Sequence, residues 1–146
     1  MEGFKELAAG FAVLAHIDHP FERLKAMGRA YISFAMENRA YYEIMFVMKE
    51  PLEFVHNEDD SCWDEGRQAF QFLLGTIQAC QQQGYFKNFE SESFALLVWS
   101  TMHGLCTLQL HGHLGQVVEK KLLLQGVEDV ITHTFETYVK LLESLR

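Results

Sequence analysis

The stretch ALLVWSTMHGLCTLQL, Ala95 to Leu110, reads at first like membrane, yet it carries Ser100, Thr101, His103, Gly104, Thr107 and Gln109. No Asp, Glu, Lys or Arg occurs between Glu92 and Glu119. The polar load favours a helix packed inside a soluble protein over one facing lipid. At 100° per residue, Trp99, Met102, His103, Cys106 and Leu110 gather on one side, and Ser93, Leu97, Ser100, Gly104, Leu108 and His111 on the other. Neither side is charged. A glycine in mid-helix costs roughly 0.5–1 kcal/mol relative to alanine, and close approach of a second helix would offset that. The small side is therefore assigned to a tight helix crossing at a dimer interface, and the Trp99/His103 side to the domain interior.

The rest of the chain reads as helices. Only two prolines occur, Pro20 and Pro51, and no stretch alternates apolar and polar residues long enough to argue for a strand. The expectation is an all-α domain of about six helices. The first runs over about Glu2 to His16. Asp18 and Pro20 then supply an N-cap and a first-turn proline for a helix from Pro20 to Glu37, with Leu24, Met27, Tyr31 and Phe34 on one face. Arg39 to Phe46 continues as a short aromatic helix, and Val47 to Asp60 reads as a loop. Ser61, followed by Asp64 and Glu65, opens a helix whose face is Trp63, Phe70, Leu74 and Ile77 and which stops at Gly84. Tyr85, Phe86 and Phe89 pin the connector. Ser91 opens the fifth helix, and Gly112 and Gly115 close it.

The last helix is read from Val127 to Leu145. Val127, Ile131, Thr134, Tyr138, Leu141 and Leu145 follow the seam spacing of helix-on-helix packing. Val130, Phe135, Val139 and Leu142 widen the apolar arc, leaving Asp129, Glu136, Lys140 and Glu143 on a narrow polar strip. So wide an arc suggests two partners, one within its own domain and one outside it.

Composition bounds the function. The chain has 146 residues, 49% hydrophobic and 13% aromatic, enough for one filled core and too few for two, so residues 1–146 are read as a single domain. The formal net charge is -8 and Lys120–Lys121 is the only adjacent basic pair, so no basic cluster exists to displace counterions from nucleic-acid phosphates. Cys62, Cys80 and Cys106 form no CxxC pair, which fits free thiols in the cytoplasm. MEGFKELAAGF lacks the pattern of a signal peptide.

Two blocks reach a family. W-x-x-x-H-G-L-x-x-L, present as Trp99, His103, Gly104, Leu105 and Leu108, resembles the signature of the WHG-type C-terminal domain of TetR-type transcriptional regulators. RLKAMGRAYISFAMENRAYYEIMF, Arg23 to Phe46, is similar to the second conserved block of that family, and GFKELAAGF resembles the helix that follows its DNA-reading unit. The resemblance implies a helical domain that senses a small molecule and dimerises through its last two long helices, as a four-helix bundle with its twin. It also implies an N-terminal helix-turn-helix, of which this chain carries only the start of the connecting helix; operator binding is expected in that absent part. On this reading the protein is most often a repressor, and its movement passes through the first helix.

Candidate effector contacts are Phe34, Tyr42, Met45, Phe46, Phe70, Trp99, Met102 and His103, since methionines and aromatics suit adaptable apolar ligands. His103 reads either as a core histidine satisfied by a carbonyl or hydroxyl, or as a polar anchor in the pocket. The expected effector is a small apolar or aromatic molecule. Candidate interface residues are Ser100, Gly104, Leu108, His111, Ile131, Tyr138 and Leu141. No metal or cofactor is expected: His111 and His113 in an H-x-H point about 200° apart on a helix, and Glu53–His56 is a lone E-x-x-H where a di-iron bundle needs two. No nucleophile elbow, phosphate loop or Cys-His motif argues for an enzyme. The alternative is a stand-alone ligand-binding module, including a haem-binding one.

Overall fold

The computed structural model describes residues 2–40, 42, 61–120 and 129–146, and every regular element among them is helical. The α-helices whose bounds fall among the described residues are α1 (Glu2–Val13), α2 (Pro20–Glu37), α3 (Ser61–Gln82), α4 (Ser91–Leu110), α5 (His113–Glu119) and α6 (Val130–Glu143). The expected all-α class is the observed one. The chain divides into two compact units, Met1–Cys80 and Gln81–Arg146.

In the first unit, α1 buries Leu7 and Phe11, one helical turn apart, and ends in a 3-10 turn, Leu14–His16. The α2 N-cap is His19 and not Asp18: its Nδ1 accepts from the Glu22 N–H at 3.3 Å, with Pro20 in the first turn behind it. A ring nitrogen can fill the acceptor role that hydroxyls and carboxylates usually play, so the cap moves one residue. Pro20, Phe21, Leu24, Met27, Tyr31, Phe34 and Ala35 form the buried side of α2. Arg23 fastens the linker, donating from Nη1 to the Ile17 carbonyl at 3.0 Å and from Nε to the Thr76 hydroxyl of α3 at 3.3 Å. Arg39, Ala40 and Tyr42 are helical, as expected, while the remainder of the aromatic helix and the 47–60 loop lie outside the described residues.

The inward side of α3 is Ala69, Leu73, Thr76, Ile77 and Cys80, with Phe70 and Leu74 half-buried beside it. Of the four residues expected on that face, Ile77 is at its centre; the Trp63 side chain lies outside the described ones. Phe72 stacks on Phe11 of α1, ring centres 6.2 Å apart.

The second unit opens with a tight connector. Gly84 has φ +94°, which only a residue without Cβ adopts cheaply. Gln81 staples the turn, donating to the Phe86 and Phe89 carbonyls at 3.0 and 2.8 Å and accepting from Ser91 Oγ at 2.6 Å. Tyr85 and Phe86 are buried as expected, but Phe89 is 48% exposed, resting on Phe94 at its edge. The chain end closes on this connector: Phe86 N–H donates to Leu145 O at 2.7 Å, and the Arg146 guanidinium lies 4.3 Å above the Tyr85 ring.

Ser91 starts α4 as expected, and Gly112, at φ +79°, ends it. Gly115 does not close that helix; it lies inside the short α5, which the glycine pair concealed in the sequence. Asp129 caps α6, accepting from Thr132 N at 3.2 Å and Thr132 Oγ1 at 2.8 Å; Val127, the expected start, lies outside the described residues.

The Asp129 cap carries a pH signature. The Thr132 side-chain hydrogen bond, with the Thr132 N–H, holds its carboxyl below the ordinary aspartate value. A carboxyl lowered in the folded state stabilises above its unfolded pKa and loses that contribution as pH falls through the folded value. Asn caps nearly as well without titrating. The melting-temperature advantage of the native chain over Asp129→Asn at pH 7 is therefore expected to vanish in acid, below about pH 4. An advantage that is the same at both pH values would remove the carboxylate from the cap.

Candidate functional site

Seven α4 residues are buried: Phe94, Ala95, Val98, Met102, Leu105, Cys106 and Leu110. They centre the inward side near Met102, so Trp99 and His103 fall on its flank, half-buried. The expected interior side is thus rotated: Met102, Cys106 and Leu110 are inside, and the Trp99/His103 pair is at the boundary. The reason is the second run, Phe94, Ala95, Val98 and Leu105, which brings more apolar surface inward than the indole and imidazole do.

The opposite side faces out and is uncharged. Leu97 is 59% exposed, Leu96 49% and Leu108 45%, with Ser93, Ser100 and His111 exposed between them and Gly104 half-buried. A Cβ built on Gly104 meets nothing within 4 Å, so no neighbour among the described residues accounts for a glycine there. The serines turn their protons back onto the helix end and backbone: Ser93 Oγ donates to Glu90 Oε2 at 3.0 Å and Ser100 Oγ to the Leu96 carbonyl at 2.7 Å. Three large aliphatic side chains on one uncharged helix face form the kind of surface that marks an interaction site.

On α6, Phe135 and Leu142 are buried, Ile131 and Tyr138 half-buried, and Leu141 is 55% exposed, with Thr134 exposed one position along the seam. The wide arc read from the sequence is therefore divided into an inward row and an outward row. The Tyr138 hydroxyl is buried without a well-formed hydrogen bond. Burial raises its pKa, opposed by Thr101 beside it, whose own hydroxyl donates to the Leu97 carbonyl at 2.9 Å.

The expected effector contacts are distributed over both units. Phe34 and Tyr42 are buried in the first, where Tyr42 meets the edge of Tyr31 at 6.1 Å, and Phe70 is half-buried there. Met102 is buried in the second, beside half-buried Trp99 and His103; Met45 and Phe46 lie outside the described residues. Burial lowers the His103 pKa, so its ring is neutral at pH 7 and able both to donate and to accept. Burial pushes the Cys80 thiol up to about 11 and Cys106 to about 12, which makes them poor nucleophiles.

A surface cleft of about 400 Å³ in the second unit is lined by Gln109, Leu114, Gly115, Val118, Glu119, Asp129, Val130 and Ile131. Only Ile131 among the expected site residues borders it, and two carboxylates without an aromatic ring do not suit an apolar effector. Among the described residues no three His, Cys, Asp or Glu side chains are grouped to hold a metal ion, and no helix is long and apolar enough to cross a membrane. Glu53 and His56 lie outside the described residues.

Sequence reasoning missed Leu96, because both sides of α4 are apolar and periodicity alone leaves its phase open. It missed the orphan character of the Tyr138 hydroxyl, which no local signal announces. Residues 24–130 match a family model described as "Tetracyclin repressor-like, C-terminal domain", a span that runs from α2 into the first residue of α6. No curated protein and no solved structure gives a match.

Proposed function

The chain belongs to the family of tetracyclin repressor-like C-terminal domains, and from that premise we propose that it is the effector-sensing and dimerisation domain of a transcriptional regulator, a cytoplasmic repressor. The observation that carries this reading is the uncharged outward face of α4, with Leu97, Ser100, Gly104 and Leu108, together with exposed Leu141 of α6. Two copies set these helices together as a four-helix bundle. A small apolar or aromatic effector binds one helix arrangement better than another, and that differential affinity changes the spacing of the DNA readers. The readers are helix-turn-helix units that join α1, and operator affinity resides in them.

Trp99 and His103, half-buried on the flank of α4, are assigned to the effector contact: an apolar plate beside a neutral imidazole suits a ligand with a ring or chain and one polar end. Calorimetric titration with laurate, quercetin and deoxycholate, one at a time, tests this. At least one is expected to bind, and Trp99→Ala and His103→Ala each to weaken it about tenfold, or ~1.4 kcal/mol, with the circular dichroism spectrum unchanged. Equal affinity in both variants would take these residues out of the contact. Failure of all three probes to bind would contradict the apolar effector class.

A further inference from the structure

Met102 points into the interior, so the outward line of α4 lies directly opposite it. At 100° per residue, equal steps up and down the helix from residue 102 rotate equally in opposite senses. Residues whose numbers are symmetric about 102 are therefore symmetric about that outward line. Four such pairs cover the face: Ser93 with His111, Leu96 with Leu108, Leu97 with Thr107, and Ser100 with Gly104. In each, like chemistry is matched: polar with polar, leucine with leucine, leucine with a threonine methyl, small with small.

Across a twofold axis residue i meets residue j of the copy and j meets i, so a face that carries no charge brings no like charges together in any register. Between Glu92 and Glu119 there is no Asp, Glu, Lys or Arg, so the face is complementary to itself electrostatically. An antiparallel pair also sets opposite helix-dipole ends side by side. Ser93 donates its proton to Glu90, which leaves its oxygen to accept an N–H from His111 of a second copy.

We propose that α4 pairs antiparallel with α4 of a second copy of this chain across a twofold axis opposite Met102, laying Leu96 on the partner's Leu108, Ser100 on the partner's Gly104 and Ser93 on the partner's His111. This rests on the dimer reading above and adds its direction and register. Ser93 and Ser93 of the partner subunit then stand about 27 Å apart along the helix at 1.5 Å per residue, whereas Ser93 and the partner's His111 are neighbours.

Cysteine cross-linking tests the register in a Cys62→Ser background, where buried Cys80 and Cys106 react slowly at pH 7. With a short bis-maleimide, the Ser93→Cys/His111→Cys double variant is expected to form a covalent dimer, and each single variant none. Self-linking single variants would mean a parallel pair and would overturn the register while leaving the dimer. A dimer by native mass spectrometry with no cross-link in any variant would also overturn it. A monomer by native mass spectrometry would remove both the register and the dimer reading.

Discussion

Gly104→Leu is expected to convert the proposed dimer to a monomer at micromolar concentration while leaving the helical content and the melting of the single chain intact. Among the described residues the site is open: a Cβ there meets nothing within 4 Å. Helix propensity alone would reward replacement of the glycine, by roughly 0.5–1 kcal/mol for alanine. Two helices crossing at Ser100 and Gly104 approach closely only while the position has no side chain, and leucine would lever them apart and forfeit contacts along the whole face. A rise of about a hundredfold in the dimer dissociation constant, ~2.7 kcal/mol, is expected. Sedimentation velocity reads it. Gly104→Ala separates the two effects further, since it should stabilise the monomer while weakening the dimer. A Gly104→Leu chain that stays dimeric would move the interface off this face.

Phe86→Ala is expected to be the most damaging single substitution in the second unit. The ring is fully buried and stacks on Phe94 with centres 4.4 Å apart, between the start of α4 and the chain end. Its loss should cost about 3–5 kcal/mol, a fall in Tm of roughly 10–15 °C. The backbone adds a second, sharper expectation. Phe86 sits at φ +50°, in the left-handed region that side chains with a Cβ occupy at a cost of about 1–2 kcal/mol. Phe86→Gly should therefore be more stable than Phe86→Ala by about 1 kcal/mol, the reverse of the order inside a helix. Thermal melts of the two variants measure the order directly, and alanine melting higher than glycine would show that the turn does not hold this conformation in solution.

The helix boundaries were legible where local chemistry marks them. Pro20 opens α2 and Gly112 ends α4, because a fixed φ and a left-handed glycine act over a few residues; Ser91 is the first residue of α4 as expected, though its hydroxyl donates to Gln81 and caps nothing. The cap of α2 moved from Asp18 to His19 because both can accept from an orphan N–H and only the path of the linker chooses between them. The short helix α5 was hidden by Gly115, a residue that weakens a helix without forbidding it.

The candidate site was legible in kind and less so in phase. Ser100 and Gly104 lie on the outward side of α4, opposite Met102, as the helical phase of the uncharged stretch predicts. The inward side could not be centred, since Trp99 and Met102 compete on equal terms in a helix apolar all round. Burial of Phe94, Ala95 and Val98 decides it, and that depends on the Phe86 turn that folds back on them. The same dependence explains Tyr138, whose hydroxyl faces Thr101 only once α6 is set against α4.

On the proposed reading a second copy of the chain covers the uncharged face of α4 and the outer row of α6. Native mass spectrometry of the purified protein, at low and then moderate collision energy, tests it most directly. A species of about twice 16.9 kDa is expected, with any retained small molecule visible as added mass that leaves on activation. A single 16.9 kDa species at micromolar concentration would contradict it.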